Sequence, residues 1–203
     1  YFMWAACDDV RSSDFIELNV EFLKQNADYV ASTTPTGFEG DGLDRQNMVD
    51  FRLDGDLFER FTEFFKYCWV SHGLFYCLAR TSALRDCPII GQSFFAADWA
   101  IILYLASKGK FNRTETGCTI IGTGGVSSGS ARYKAFRNDF IEVIVPFYRL
   151  GKYVRVFSAD MKPGEKLRIT GKLIKLNLRV DFDRAASRPY SVYCKIFGPV
   201  ARK

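Results

Sequence analysis

The chain has 203 residues, 48% hydrophobic and 25% charged, a balance that supports a sizeable core and excludes a disordered or low-complexity polymer. Its six cysteines form no CxxC pair and no metal-ligand spacing, and His72 is the single histidine, which argues against a zinc site or a disulfide framework and for a reducing compartment. No apolar run reaches the roughly 18 residues of a spanning helix, and the net charge of +5 hides a split: from Arg132 onward there are 17 Lys and Arg against 6 Asp and Glu, while the residues before carry 11 against 17.

Tyr1 to Asp9 is an apolar run of strand length that ends in two carboxylates, Asp8 and Asp9. It reads as a buried strand delivering acids to its own end, where open α/β sheets hold their ligands. Adjacent carboxylates suit Mg²⁺ or Mn²⁺, which accept one or two such oxygens and leave the remaining positions to water and phosphate. The competing use of Asp8 and Asp9 is as caps for the next helix. A chain that opens inside a strand, with neither Met nor loop before it, reads as a piece of something longer.

Ser12 and Ser13 are placed to cap a helix that Phe15, Ile16, Val20 and Leu23 continue to about Gln25. Asn26 to Asp28 is a turn and Tyr29 to Ala31 a short strand. Residues 32–55 are rich in Thr, Pro, Gly and Asp without periodicity, which predicts a long loop, either a plain connection or a lid. A Phe-rich helix follows from Leu57 to Trp69, then an apolar strand from His72 to Arg80 and a short helix from Thr81 to Arg85. Pro88 and Gly91 break the chain before Phe94 to Trp99 leads into an apolar helix closed by Lys108, Gly109 and Lys110. Asp98 stands at the start of that helix, as a cap or as a base aimed into a cleft. Asn112-Arg113-Thr114 matches a glycosylation sequon by pattern, and chance explains it.

A strand is expected from Cys118 to Ile121. The glycine- and serine-rich run Gly122 to Ser130, including Gly125, Ser127 and Ser128, then allows close backbone approach, as a connector or an anion nest, in a spacing that matches no Walker or dinucleotide loop.

An acidic strand end, a capped helix, "GLFYCLARTSAL" and "FFAADWAIILYLASKGKF" follow one another in an order that resembles the family 2 glycosyltransferases of the GT-A fold, over Tyr1 to Ser130. The resemblance implies an α/β, Rossmann-like sheet with helices on both faces. Cys7-Asp8-Asp9 matches the motif that holds the metal and the diphosphate of a nucleotide sugar; Cys7 stands where close relatives carry a further acid. Asp98 matches the catalytic base before the acceptor-side helix, with Trp99 beside it. His72 and Gly73 fall where the family lines the donor and acceptor pocket, and Gly125, Ser127 and Ser128 fall in a segment that closes over the donor. The family's nucleoside-binding units precede the acidic strand and are not among these residues, so residues 1–130 are expected to supply the metal and acceptor half.

Residues 131–203 read as a basic, mainly helical extension. One helix is expected from Tyr133 to Leu150, with Phe136, Phe140, Ile144 and Phe147 on one side and either a kink or an end at Pro146. In a second, from Lys166 to Val180, the sets Leu167, Ile174, Leu178 and Ile169, Leu173, Leu176, Val180 alternate with Lys and Arg. Such a helix either lies on an anionic membrane surface or packs on the body with its charges in water. No aromatic interleaving points to nucleic acid.

The expected activity is metal-assisted, inverting transfer of a sugar from a UDP- or GDP-sugar to a saccharide or lipid-linked acceptor, in the cytoplasm, either free or at the inner face of the membrane. Mn²⁺ or Mg²⁺ is the expected cofactor. The alternatives are a catalytically degenerate, transferase-like binding module and a peripheral membrane or assembly protein.

Overall fold

A computed structural model of the chain describes residues 1–39, 49–69, 73–122 and 140–197, with side chains described up to residue 180. It is a mixed α/β protein. In chain order the elements are β1 (Val10–Arg11), α1 (Phe15–Gln25), β2 (Tyr29–Thr33), β3 (Thr36–Phe38), α2 (Leu57–Tyr67), a 3₁₀ turn (Leu74–Tyr76), β4 (Leu78–Ala79), α3 (Thr81–Leu84), α4 (Ala97–Lys108), β5 (Lys110–Arg113), β6 (Thr119–Ile121), α5 (Ile141–Ile144), α6 (Tyr148–Phe157) and α7 (Pro163–Phe197).

Two small sheets organise the described residues. In one, β2 lies between β4, antiparallel, and β5, parallel. Phe2 bridges Ala79 on its far edge and Leu53 bridges Phe111 on the other. In the second sheet β6 lies between β1, antiparallel, and β3, parallel.

The first stretch corrects the expectation of a buried strand. Phe2 pairs on one side only and stays exposed, as do Tyr1, Ala5, Cys7 and Asp8, because the segment forms the border of the sheet. Ser12 and Ser13 do not cap α1 either. Asp14 occupies the cap position without a side-chain bond, and the Ser12 hydroxyl instead accepts from the Cys118 N–H at 3.0 Å, tying α1 to the start of β6. At its other end α1 is closed by Arg80, which donates to the carbonyls of Leu23, Asn26 and Tyr29.

Within residues 32–55, β3 and the Leu53 bridge are ordered structure that periodicity could not reveal, since three-residue pairings leave too little pattern to read. Arg113 organises this stretch from inside. Almost fully buried, it pairs with Asp50 at 2.7 Å and donates to the Thr34 carbonyl and the Thr36 hydroxyl at 2.8 and 2.9 Å. The sequon asparagine, Asn112, is likewise buried in β5, its amide on the Ser32 hydroxyl at 3.1 Å.

The expected strand from His72 to Arg80 shrinks to β4. Gly73 turns the chain at φ 93° into the 3₁₀ turn before Leu78, a geometry no extended strand accommodates. Helix α2 is fixed by reciprocal bonds at its start, Glu59 N–H to Asp56 and Asp56 N–H to the Glu59 carboxylate, both 2.9 Å. Among the described helices α4 is the most enclosed: Ala100 to Ala106 are all buried between α2, β2 and α6.

In the tail, the described part of the expected helix from Tyr133 to Leu150 is interrupted. Helix α5 ends at Ile144, and α6 begins after Pro146, which lacks the N–H a continuous helix needs. Phe140 and Ile144 are exposed whereas Phe147 is buried, so the three do not share one packed face. Phe147, Leu150, Val154, Ile169, Leu176 and Val180 enter the same core as Phe61, Phe64 and Leu103.

Candidate functional site

Three segments meet around Tyr76: the acidic end of the first stretch, the 3₁₀ turn and the start of α4. Trp4 stacks on Phe75 with ring centroids 4.6 Å apart, locking the first stretch onto the turn. Arg11 lies over the Tyr76 ring at 5.9 Å and the Phe15 ring at 5.4 Å, and donates to the Trp4 carbonyl at 3.0 Å. Burial raises the pKa of the Tyr76 phenol, and so do the charges of Asp9, Asp98 and Asp8, with Arg11 opposing them. One phenol thus lies within the field of both the strand-end acids and the helix-start acid, groups 89 residues apart in sequence.

The two strand-end carboxylates differ in access. Asp9 is closed, its side chain 1% exposed. One of its oxygens accepts from the Gly122 N–H at 3.2 Å; the other lies 4.0 Å from Arg11 and has no hydrogen-bond partner. Asp8 is open to solvent. The Gly122 backbone passes so near it that a β-carbon there would lie 2.6 Å from the Asp8 carboxyl carbon. Asp8 can therefore reach a cation directly, while the unpartnered oxygen of Asp9 is enclosed and lies toward Arg11. An open carboxylate such as Asp8, completed by water and phosphate, fits Mg²⁺ or Mn²⁺, with Asp9 enclosed behind it. Among the described residues no group of three or more His, Cys, Asp and Glu side chains gathers as a closed metal site.

Asp98 is presented by an uncommon backbone turn. Ala96 adopts a left-handed conformation, φ 66°, directly before α4, and its carbonyl accepts the Ala100 N–H at 3.1 Å. The Asp98 side chain is exposed to solvent at the first turn of α4. Desolvation raises its pKa, with the N–H groups of Trp99 and Asp98 itself pulling the other way. That is the balance a proton acceptor needs.

An aromatic wall stands beside Asp98. Trp99 stacks on Phe147 at 5.5 Å and meets Trp69 edge-on at 6.0 Å, and Arg179 of α7 sits over the Trp69 ring at 4.9 Å. Buried Cys68 feels both Arg179 and Asp98, and its thiol is pushed up to about 12, chiefly by burial. The basic tail thereby places a guanidinium beside the Trp69–Trp99 pair.

Gly73 has a packing reason for its identity: a β-carbon there would lie 2.1 Å from the Thr36 hydroxyl, the group that accepts from Arg113. His72, Gly125, Ser127 and Ser128 lie outside the described residues. Asp9, Asp98 and Asp8 all act on the Tyr76 phenol, Arg11 lies over its ring, and Trp69 and Arg179 follow one another beside Trp99. The cation two residues beyond Asp9 was a sequence signal for Arg11; nothing local singled out Tyr76 or Arg179. A separate groove of about 830 Å³, lined among others by Asp50, Arg52, Glu59 and Arg113, borders the body where Arg113 is already neutralised by Asp50.

No protein-family model, curated protein or solved structure matches the chain. The class that the fold defines is thus a mixed α/β protein, with acidic and aromatic side chains gathered around Tyr76 and the start of α4. Among the described residues no helix is long and apolar enough to cross a membrane.

Proposed function

We propose that the chain is the metal- and acceptor-binding part of an inverting GT-A glycosyltransferase that uses a UDP- or GDP-sugar. The observation that supports the reading is that the charges of Asp9, Asp98 and Asp8 all act on the Tyr76 phenol. Transfer from a nucleotide diphosphate requires neutralisation of the leaving group at one end of the sugar and a base at the other, and these carboxylates supply groups for both.

Asp8 would hold Mn²⁺ or Mg²⁺ with Asp9 behind it, and the cation supplies charge neutralisation for the diphosphate. Asp98 takes the proton of the acceptor hydroxyl as its oxygen attacks the anomeric carbon. The bond from that carbon to the diphosphate oxygen breaks with its electron pair, and attack from the opposite face inverts the centre. Trp99 and Trp69 offer faces against which a sugar ring of a saccharide or lipid-linked acceptor stacks.

The test is calorimetric titration with UDP, GDP and inorganic pyrophosphate, with and without Mn²⁺. Metal-dependent binding that disappears in Asp8→Asn supports the assignment. Absence of binding by all three with metal present rejects it. A second reading, a transferase-like binding module without catalysis, is favoured by Cys7 in the acidic motif and by the closure of Asp9. It predicts metal-dependent binding without hydrolysis or transfer of any sugar.

A further inference from the structure

We infer that the outward face of α7 is a docking surface for an anionic lipid bilayer. Helix α7 carries two apolar lines. Ile169, Leu176 and Val180 are buried and Leu173 packs partly against the core, so this line is consumed by the body. Leu167, Ile174 and Leu178 are 73%, 54% and 64% exposed. At about 100° per residue these three fall within roughly 40° of one line, on the side of the helix opposite the buried one. The stripe spans about 16 Å of helix.

Its border is cationic. Arg168, Lys172 and Lys175 follow one another at spacings of four and three residues, which places them along a single flank of the stripe; Arg179, next on that flank, is taken up by the Trp69 ring. Between Lys166 and Val180 there are five Lys and Arg and no carboxylate. Helix α5 extends the same character. Phe140, Ile141, Val143 and Ile144 are all exposed, while its one carboxylate, Glu142, turns inward to pair with Arg149 at 3.0 Å. The Phe147 N–H donates to the Asn177 side chain at 2.9 Å, which brings the chain just after α5 against α7 one residue from Leu178.

An apolar stripe edged by cations matches a surface with an anionic layer over hydrocarbon: the leucines and isoleucine enter the headgroup boundary, and the long basic side chains reach its phosphates. A second copy of the chain on this face would set two identical rows of cations against each other, which charge disfavours. Docking stands apart from the transferase reading, since neither Asp8 nor Asp98 takes part.

The experiment is co-sedimentation of the whole chain with vesicles of phosphatidylcholine alone and of phosphatidylcholine with equimolar phosphatidylserine. Two variants accompany it, Leu167→Ser/Ile174→Ser/Leu178→Ser and Arg168→Gln/Lys172→Gln/Lys175→Gln, both checked for unchanged circular dichroism and melting. The parent is expected on the anionic vesicles only, with salt weakening it. At about fivefold per cation, the charge variant loses on the order of 100-fold in partitioning, and the stripe variant loses binding altogether. The inference is overturned if the parent ignores anionic vesicles or if either folded variant binds as the parent does. It is equally overturned by a lipid-free dimer that only the stripe variant abolishes, which makes a second copy the occupant. Duplex DNA binding tighter than vesicle binding and insensitive to the stripe variant would assign the face to nucleic acid.

Discussion

The Asp9 carboxylate accepts the Gly122 N–H at 3.2 Å, closing the entrance to β1 against the exit of β6. This bond joins residues 113 positions apart and separates the roles of the two strand-end acids. Removing Asp9 strands the Gly122 donor and leaves the Arg11 guanidinium, 12% exposed, without its carboxylate. Asp9→Ala is therefore expected to lower stability by about 1–3 kcal/mol in urea unfolding. Asp8→Asn, at an open position, is expected to leave the unfolding midpoint unchanged while abolishing Mn²⁺-dependent diphosphate binding. Equal loss of stability in both variants would contradict this division.

Asp98 carries a prediction in pH. Its folded pKa lies above the unfolded 3.8, so its favourable contribution to folding is complete below pH 3.8 and is lost as pH rises through the folded value. At pH 7 the ionised group weighs against folding. Asp98→Asn should consequently raise the melting temperature at pH 7 and leave it unaltered below pH 3.8. In the proposed reaction the same change removes the base and lowers kcat by about 100- to 10,000-fold, and the parent's rate should fall as pH drops through the raised pKa. A variant less stable at pH 7 would show that Asp98 serves the fold as a helix cap.

Two backbone positions should respond in opposite directions. Ala96 holds a left-handed φ of 66° that glycine adopts without strain, so Ala96→Gly is expected to raise stability by about 1 kcal/mol. Gly73 holds φ 93° with Thr36 against it, so Gly73→Ala is expected to cost on the order of 1–3 kcal/mol. Chemical denaturation of the pair measures both.

Arg113 tests how residues 34–51 are held. Its guanidinium spans Asp50, the Thr34 carbonyl and the Thr36 hydroxyl at once, a geometry one ammonium cannot reproduce. Arg113→Lys should lose about 1.5–3 kcal/mol for each charge-assisted bond given up. Faster hydrogen exchange at Phe51 and Leu53 would accompany the loss, and unchanged exchange there would contradict the role.

Helices α1, α2 and α4 could be read from the chain because their causes are local. Phe15 to Leu23 repeat at helical spacing, Gly109 ends α4, and the Asp56/Glu59 pair that starts α2 is also written in adjacent residues. The acidic pair, Asp98 and the two apolar lines of the last helix were visible for the same reason. Short pairings were not: β3, β5 and the Phe2 bridge depend on partners far along the chain, and three or four residues carry too little pattern.

By itself, then, the amino-acid order determined where α1, α2 and α4 form and which residue types could carry chemistry. Tertiary structure alone decided which of two adjacent carboxylates is open, because Gly122 and Arg11 arrive at Asp9 from elsewhere in the chain. It likewise chose the apolar line of α7 that faces the core and brought Tyr76 between acids distant in sequence. Burial and electrostatic environment are properties of neighbours in space, and no local pattern encodes which neighbours those will be.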